Sequence, residues 1–295
     1  MTVLSPIDAA NLPTQRAPSR AWRKLKANKG ALAGCIIIVF FALLAVFAPL
    51  LPIPDPNATD WSAIRKAPSM LYWFGTDDLG RDNLSRMIWG ARASLLAGVI
   101  SVAIAVAIGV PFGLVSGYFG GFVDSVLMRI ADVALGIPFL PFVILMAGFL
   151  GARTSNVILG IALLLWPNTA RVIRSQVLTV RERAFVEAAR VTGASTWRIL
   201  FVHVAPNILP LTFLYGSIAV GWAILTEASI SFLGFGPSDT VSWGYMLQDA
   251  YASQALSRGD YNWFVPPGVC IVLVVVAGFF ISRGYEEILF PKLKD

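Results

Sequence analysis

The chain has 295 residues, of which 57% are hydrophobic and 14% charged, with a mean hydropathy of +0.71. Soluble domains carry about 25% charged residues, so this apolar excess is more than one wettable globule can bury, and a soluble enzyme is excluded. The net charge of +6 points to membrane-flanking positives rather than to nucleic acid, and two Cys and one His leave no material for a disulfide framework, a metal cluster or a Cys/His nucleophile.

Charge-free runs of about 18 residues or more can cross the hydrocarbon core of a bilayer. Residues 1–29 read as a cytoplasmic tail ending in Arg23, Lys24, Lys26 and Lys29. The first run gives a span over 30–54. Its Ala31–Leu51 stretch is too long for a signal-peptide core and ends without a small-x-small cleavage site, so it reads as retained. Pro49, Pro52, Pro54 and Pro56 stop that helix and open an extracytoplasmic segment, 55–93. Within it, Asp78–Ser94 is expected to form an amphipathic helix on the membrane surface.

A five-helix core then covers 94–284, its runs centred near Ala105, Ile144, Leu163, Phe213 and Val274. The run between Arg153 and Arg171 is the weakest, with 17 uncharged residues and Pro167 inside it, and a buried helix is the alternative there. Residues 285–295 form a second tail. The fold class is therefore an all-α integral membrane protein with six transmembrane helices. Placing the N-terminus inside puts sixteen Lys and Arg on the cytoplasmic side and seven outside, so both termini read as cytoplasmic.

The longest polar stretch of the core, Arg171–Asn207, then faces the cytosol and contains a loop over 181–207. Phe185, Val186 and Ala189 supply apolar surface, and Arg183, Glu187 and Arg190 supply charge. Gly193 fits the left-handed position past a helix end, and Ser195 or Thr196 can cap the next turn. Such a helix-glycine-helix unit is either a solvated loop or a docking surface. Glu227 interrupts an apolar span, with Thr226, Ser229 and Ser231 nearby. It lines a pathway or bonds a neighbouring helix. Arg129 and Asp132, three residues apart, are expected to pair, and His203 reads as a stabiliser of the loop rather than a catalyst. The nine Trp read mostly as interfacial anchors. No G-x-x-x-x-G-K-[ST] loop is present, so nucleotide hydrolysis is not expected of this chain.

Four ordered segments add a resemblance. Glu187-Ala188-Ala189 with Gly193, Ile199, His203 and Pro206-Asn207 resembles the EAA loop of ABC importer permeases. Phe74–Asp82 with Ser85-Arg86, Gly117–Gly121 with Asp124, Met128-Arg129 and Asp132, and Glu227–Gly236 with Trp243-Gly244 resemble the dipeptide, oligopeptide and nickel branch of that family. The likeness runs from about Gly30 to the C-terminus; Pro237–Val241 departs from the more proline-rich link usual there.

The resemblance implies a prokaryotic inner-membrane permease subunit in which Glu187, Ala188, Ala189 and Gly193 couple to an ATPase through a hairpin between helices 4 and 5. It implies a second homologous permease, two ATP-binding subunits that carry the ATP and Mg, and a soluble substrate-binding protein. This chain itself would bind no cofactor. Glu227, Ser229 and Ser231 become pathway candidates, and Asp77, Asp78, Arg81, Asp82 and Trp243 become candidates for contact with the binding protein, although a solvated outer helix also accounts for the charges. An ion-gradient-driven carrier or channel is the alternative function, and a non-transporting scaffold a further one.

Overall fold

The computed structural model describes residues 28–237 and 240–289. Among them the only β-type pairing is an isolated antiparallel bridge between Thr76 and Asp82; the rest is helices and their connections. Five helices are long and apolar enough to cross a membrane, or six if one bent pair counts as a single span.

Helix α1 is Lys29–Phe47, begun where the Asn28 side chain accepts from Ala31 N at 3.0 Å. Gly34 lets it approach α10 (Tyr261–Leu289) closely, because a Cβ there would sit 2.6 Å from Ala277 O. Its other side, with Ile36, Val39, Phe40 and Leu43, is exposed and apolar, as befits a lipid-facing surface.

Helix α2, Asn83–Phe119, starts at a cap in which Asp82 accepts from Ser85 N at 3.0 Å, and at 1.5 Å per residue it is roughly 55 Å long. The surface helix expected over Asp78–Ser94 is therefore not a separate element. No stop signal follows the Asp82 cap, and Asn83, Arg86, Gly90, Ala91 and Ser94 are buried beneath α8 (Trp243–Ala252) and its neighbours.

The third expected span is also different. Helix α3, Gly121–Leu135, and helix α4, Phe139–Leu150, meet at 77° across Gly136–Pro138. Pro138 has no N–H to continue the ladder, and a charge-free run cannot reveal a bend. Helix α5, Thr154–Val180, holds Pro167 inside and runs on past Arg171 and Arg174, so the weakest run becomes a 27-residue helix. Asp132 pairs with Arg171 at 2.6 Å, not with Arg129 as expected, because α3 lies against α5.

Helix α6, Ala184–Val191, follows α5 after three residues. Helix α7, Thr196–Phe232, includes a π-helical stretch at Ile199–Val204. After it come α8, the short α9 (Ala255–Arg258) and α10. The tightest pairing is α2 on α5. Gly109 and Gly113 would each place a Cβ within 2.6 Å of a carbonyl of α5, Trp166 O and Ala170 O, so only hydrogen fits between the backbones.

Candidate functional site

Three regions carry the polar chemistry. At one end of α2 stands α6. Of its eight residues only Val186 is buried, against Leu114, Val177, Val180, Ile199 and Leu200. At 100° per residue, Ala184, Glu187, Ala188 and Val191 share the opposite face, where Val191 is 83% exposed. The helix closes in a Schellman arrangement: Ala194 N donates to Ala189 O (3.1 Å), Gly193 N donates to Arg190 O (3.1 Å), and Gly193 has φ +80°. Thr192 Oγ1 donates to Ala188 O and Ala189 O, and the Ser195 hydroxyl accepts from Arg198 N. The result is a short, fully terminated helix that presents small residues and one carboxylate outward.

Midway along the bundle is a cleft of about 610 Å³ between α2, α4, α5 and α7. Phe139, Asn168, Thr169, Tyr215, Trp222 and Ser229 are among its walls, and none of the described residues lining it is Asp, Glu, Lys, Arg or His. Ser229 thus reaches the cleft, but Glu227 and Ser231 do not. They lie one turn apart on another face of α7, with Glu227 3% exposed. The Glu227 carboxylate accepts from Ser231 Oγ at 2.7 Å and from Ser94 Oγ of α2 at 3.2 Å, and Ser242 contributes a further bond. Ser94 in turn accepts from Trp243 N at 3.2 Å. Glu227 therefore ties α7, α2 and the start of α8 together behind the cleft wall.

At the far end of α2 the charges of the 55–93 segment turn inward. Asp77 accepts from Arg81 Nε and Arg86 Nη1, each at 2.5 Å, and Asp249 of α8 accepts from Arg81 Nη2 (2.9 Å) and Arg86 Nη2 (2.8 Å). Asp78 accepts from Ser253 Oγ at 2.6 Å. Asp82 is buried as the α2 cap, and burial pushes its carboxyl above the ordinary carboxylate range against the opposing bonds from Ser85 N and Leu84 N. Trp243 is fully buried, donating Nε1–H to Met87 O at 3.0 Å and meeting Phe41 edge-on. Asp77, Arg81, Asp82 and Trp243 thus shape this end from within and present no open surface in this conformation; Asp78 is half-buried. Charge alone had suggested solvent, but each of these carboxylates has a specific interior donor.

Arg86 and Asp249 escaped the reading of the sequence. Arg86 stands inside one of the resembling segments, which was the available signal. Asp249 is the one charged residue of α8, and nothing local marks it.

The family described as binding-protein-dependent transport system inner membrane component matches residues 109–295. The one described as N-terminal TM domain of oligopeptide transport permease C matches residues 19–68. A dipeptide transport system permease protein of Alkalihalophilus pseudofirmus is 38% identical over 276 residues, covering 93% of this chain and 90% of that protein. An oligopeptide transport system permease protein of Escherichia coli is 40% identical over 275 residues, covering 92% and 90%. Among solved structures, a chain of the methionine ABC transporter MetNI in inward-facing conformations superposes with a TM-score of 0.56 at 17% identity, over 68% of this chain and 96% of that one. That likeness speaks for the fold.

Proposed function

Since the chain belongs to the family of binding-protein-dependent transport inner membrane components and is a permease subunit of an ABC importer, we propose that it forms one wall of a pathway for short peptides. Membership of a binding-protein-dependent transport family sets aside the ion-gradient carrier, and the family is a transporter subunit and not itself an ATPase. The chain is a multi-pass inner-membrane protein. Peptides are the named cargo of its dipeptide and oligopeptide relatives.

In this reading six spans cross the membrane, the α3–α4 pair counting as one, and both termini lie in the cytoplasm. The tails (1–29 and 285–295), the first span (30–54), the outer segment (55–93) and the core (94–284) are proposed as read from the sequence, with α2 beginning at Asn83 inside the outer segment and α10 running on to Leu289; residues 1–27 and 290–295 lie outside the described residues. A second permease closes the cleft, two ATP-binding subunits hold ATP and Mg, and a soluble binding protein delivers solute to the outer end. Asp77, Arg81, Asp82 and Trp243 support that outer surface from beneath, with Asp78 nearest to it. Glu187, Ala188 and Ala189, closed by Gly193, enter a groove on an ATPase subunit. Ser229 touches the solute, while Glu227 and Ser231 hold the wall behind it.

The observation that carries this reading is α6 itself, which turns a face of Ala184, Glu187, Ala188 and Val191 outward with nothing of this chain against it in the described residues. Val186 fastens this short helix to the bundle, and its uncovered face of small residues and one carboxylate fits a groove on a partner. The test is cross-linking of Ala188→Cys, in a chain lacking Cys35 and Cys270, within the assembled complex. It should form a disulfide with a cysteine scanned along the ATPase groove, and the yield should change on adding ATP. Free labelling of Ala188→Cys in the assembled complex, with no cross-link at any groove position, would sink the assignment.

A further inference from the structure

Helix α3 is weakly anchored by apolar packing. Only Ala131 of its fifteen residues is buried, while Phe122, Val126, Ile130 and Val133 are exposed. Met128, Ala131 and Ala134 pack on Trp166 and Ala170 at its middle, and polar contacts fasten it at both ends. Near its start the Arg174 guanidinium of α5 grips Asp124 with both arms, Nε to Oδ1 and Nη2 to Oδ2, each at 2.5 Å. Ser116 at the end of α2 also donates to Asp124. Near its end Arg171 of α5 reaches Asp132. The first pair is half-buried and the second is exposed, so the first is the one held in a fixed geometry.

The same stretch of α5 leads directly into α6, with only Arg181, Glu182 and Arg183 between them, and Arg181 Nη1 donates to Gly117 O at 2.8 Å. Beyond α3 the chain turns by 77° at Gly136–Pro138 into α4, and α5 carries Pro167 at its middle. The bend at Gly136–Pro138 and Pro167 of the continuous α5 both adjoin the cleft, whose walls include Phe139 and Leu140 on one side and Leu165, Asn168 and Thr169 on the other. Beyond the bend, α4 packs on the first half of α5, where Gly160 lets Val143 come close. Two prolines that cannot donate to the ladder thus stand beside the cleft, one at a bend and one inside a continuous helix that lacks one hydrogen bond there.

We propose that Asp124 and Arg174 are positioning residues that clamp α3 and the second half of α5 into one body with α6, hinged against α4 at Gly136–Pro138 and Pro167. This rests on the reading of α6 as the ATPase contact. Force arriving at α6 then moves α3 without slippage and swings the Phe139–Leu140 wall of the cleft. Without the bidentate grip, α3 is held to α5 only by the exposed Asp132–Arg171 pair and the small apolar contact around Ala131, and movement of α6 no longer reaches the wall.

The test uses the complete complex, reconstituted with its ATPases and binding protein, in a background lacking Cys35 and Cys270. Spin labels at the exposed positions Ser125 on α3, Thr179 on α5 and Phe149 on α4 report distances without nucleotide and with trapped ATP. Because these labels leave the clamp intact, this arm is independent of any folding defect. The Ser125–Thr179 distance should stay constant while Phe149–Thr179 changes. In parallel, Asp124→Asn and Arg174→Gln should keep ATP hydrolysis but lower the solute moved per ATP by roughly two- to thirty-fold, the range of coupling changes seen for mutations between sites. The charge-exchanged pair Asp124→Arg with Arg174→Asp should recover part of that ratio; a lowered ratio at normal assembly and hydrolysis is what a purely structural role would not produce. Ser125–Thr179 changing as much as Phe149–Thr179, or an unchanged ratio in assembled Asp124→Asn, would overturn the clamp while leaving α6 as the contact. If no distance responds to ATP, the reading of α6 fails and the clamp with it.

Discussion

Asp82 has two roles that substitution can separate. It caps α2 through Ser85 N, and it buries a carboxylate whose Oδ1 has no hydrogen-bond partner. Burial raises its pKa, so the folded protein holds this proton more tightly than the unfolded chain does. This group therefore favours the fold below the unfolded carboxylate value, and the advantage is lost as pH rises through the folded one. Asn caps as well as Asp but cannot ionise. Asp82→Asn should therefore raise the melting temperature at pH 7 and lose that gain in the acid range. A lower melting temperature at pH 7 would mean that the charge itself is needed. Glu227 asks a different question, since its described partners are hydroxyls. Glu227→Gln keeps most of that bonding and should assemble and transport near the normal rate. Glu227→Leu strands the buried Ser94 and Ser231 hydroxyls and should cost about 1–3 kcal/mol of stability, read as a lower melting temperature in detergent. An equal loss of transport in both, at unchanged stability, would return Glu227 to the pathway. The sequence marked Glu227 as unusual, but only its helical phase, with Thr226 and Ser229 on one side and Ser231 on the other, shows which way it faces.

Elements pack here through glycines that a search for charges passes over. Gly109 and Gly113 sit one turn apart against α5, and a Cβ at Gly113 would lie 2.5 Å from Ala170 O. Gly113→Val should push the helices apart and cost about 1–3 kcal/mol as overpacking does, seen as reduced membrane level and melting temperature. Gly193 differs, because a Cβ there meets nothing within 4 Å, so only its backbone angle is at stake. Gly193→Val should cost about 1–2 kcal/mol locally for the left-handed conformation, and Gly193→Asn much less. The expected pattern is normal membrane level for both, with ATPase co-purification weakened in the valine variant alone; equal co-purification would contradict the tie between turn and docking. This turn was legible from Gly193 and Ser195 because caps are local. The α3–α4 bend was not read, although Gly136 and Pro138 were its signal, because counting charges measures the length of a run and not its direction. The length of α5 was underestimated for a related reason: Arg171 and Arg174 counted as ends, yet their charges are satisfied by Asp132 and Asp124 from another helix.

Across the whole molecule, polar chemistry is concentrated at the two ends of α2, with an uncharged cleft between. One end is an inward-turned ionic cluster that locks the segment before α2 to α8, and the other is a helix left facing outward. The apolar runs made the membrane architecture legible, and the ordered segments made the family legible. The interior pairing of Arg86 with Asp77 and Asp249 depends on contacts distant in sequence and was not. Conversion of ATP consumption on separate subunits into passage of a peptide is the role proposed for this chain. It is tested most directly by uptake of a labelled dipeptide into proteoliposomes holding the two permeases and two ATPases, with binding protein added outside and ATP enclosed. Uptake should require ATP, the binding protein and this chain together, and an imposed proton or sodium gradient should not replace ATP. Uptake that proceeds without this chain, or that an ion gradient alone sustains, would contradict it.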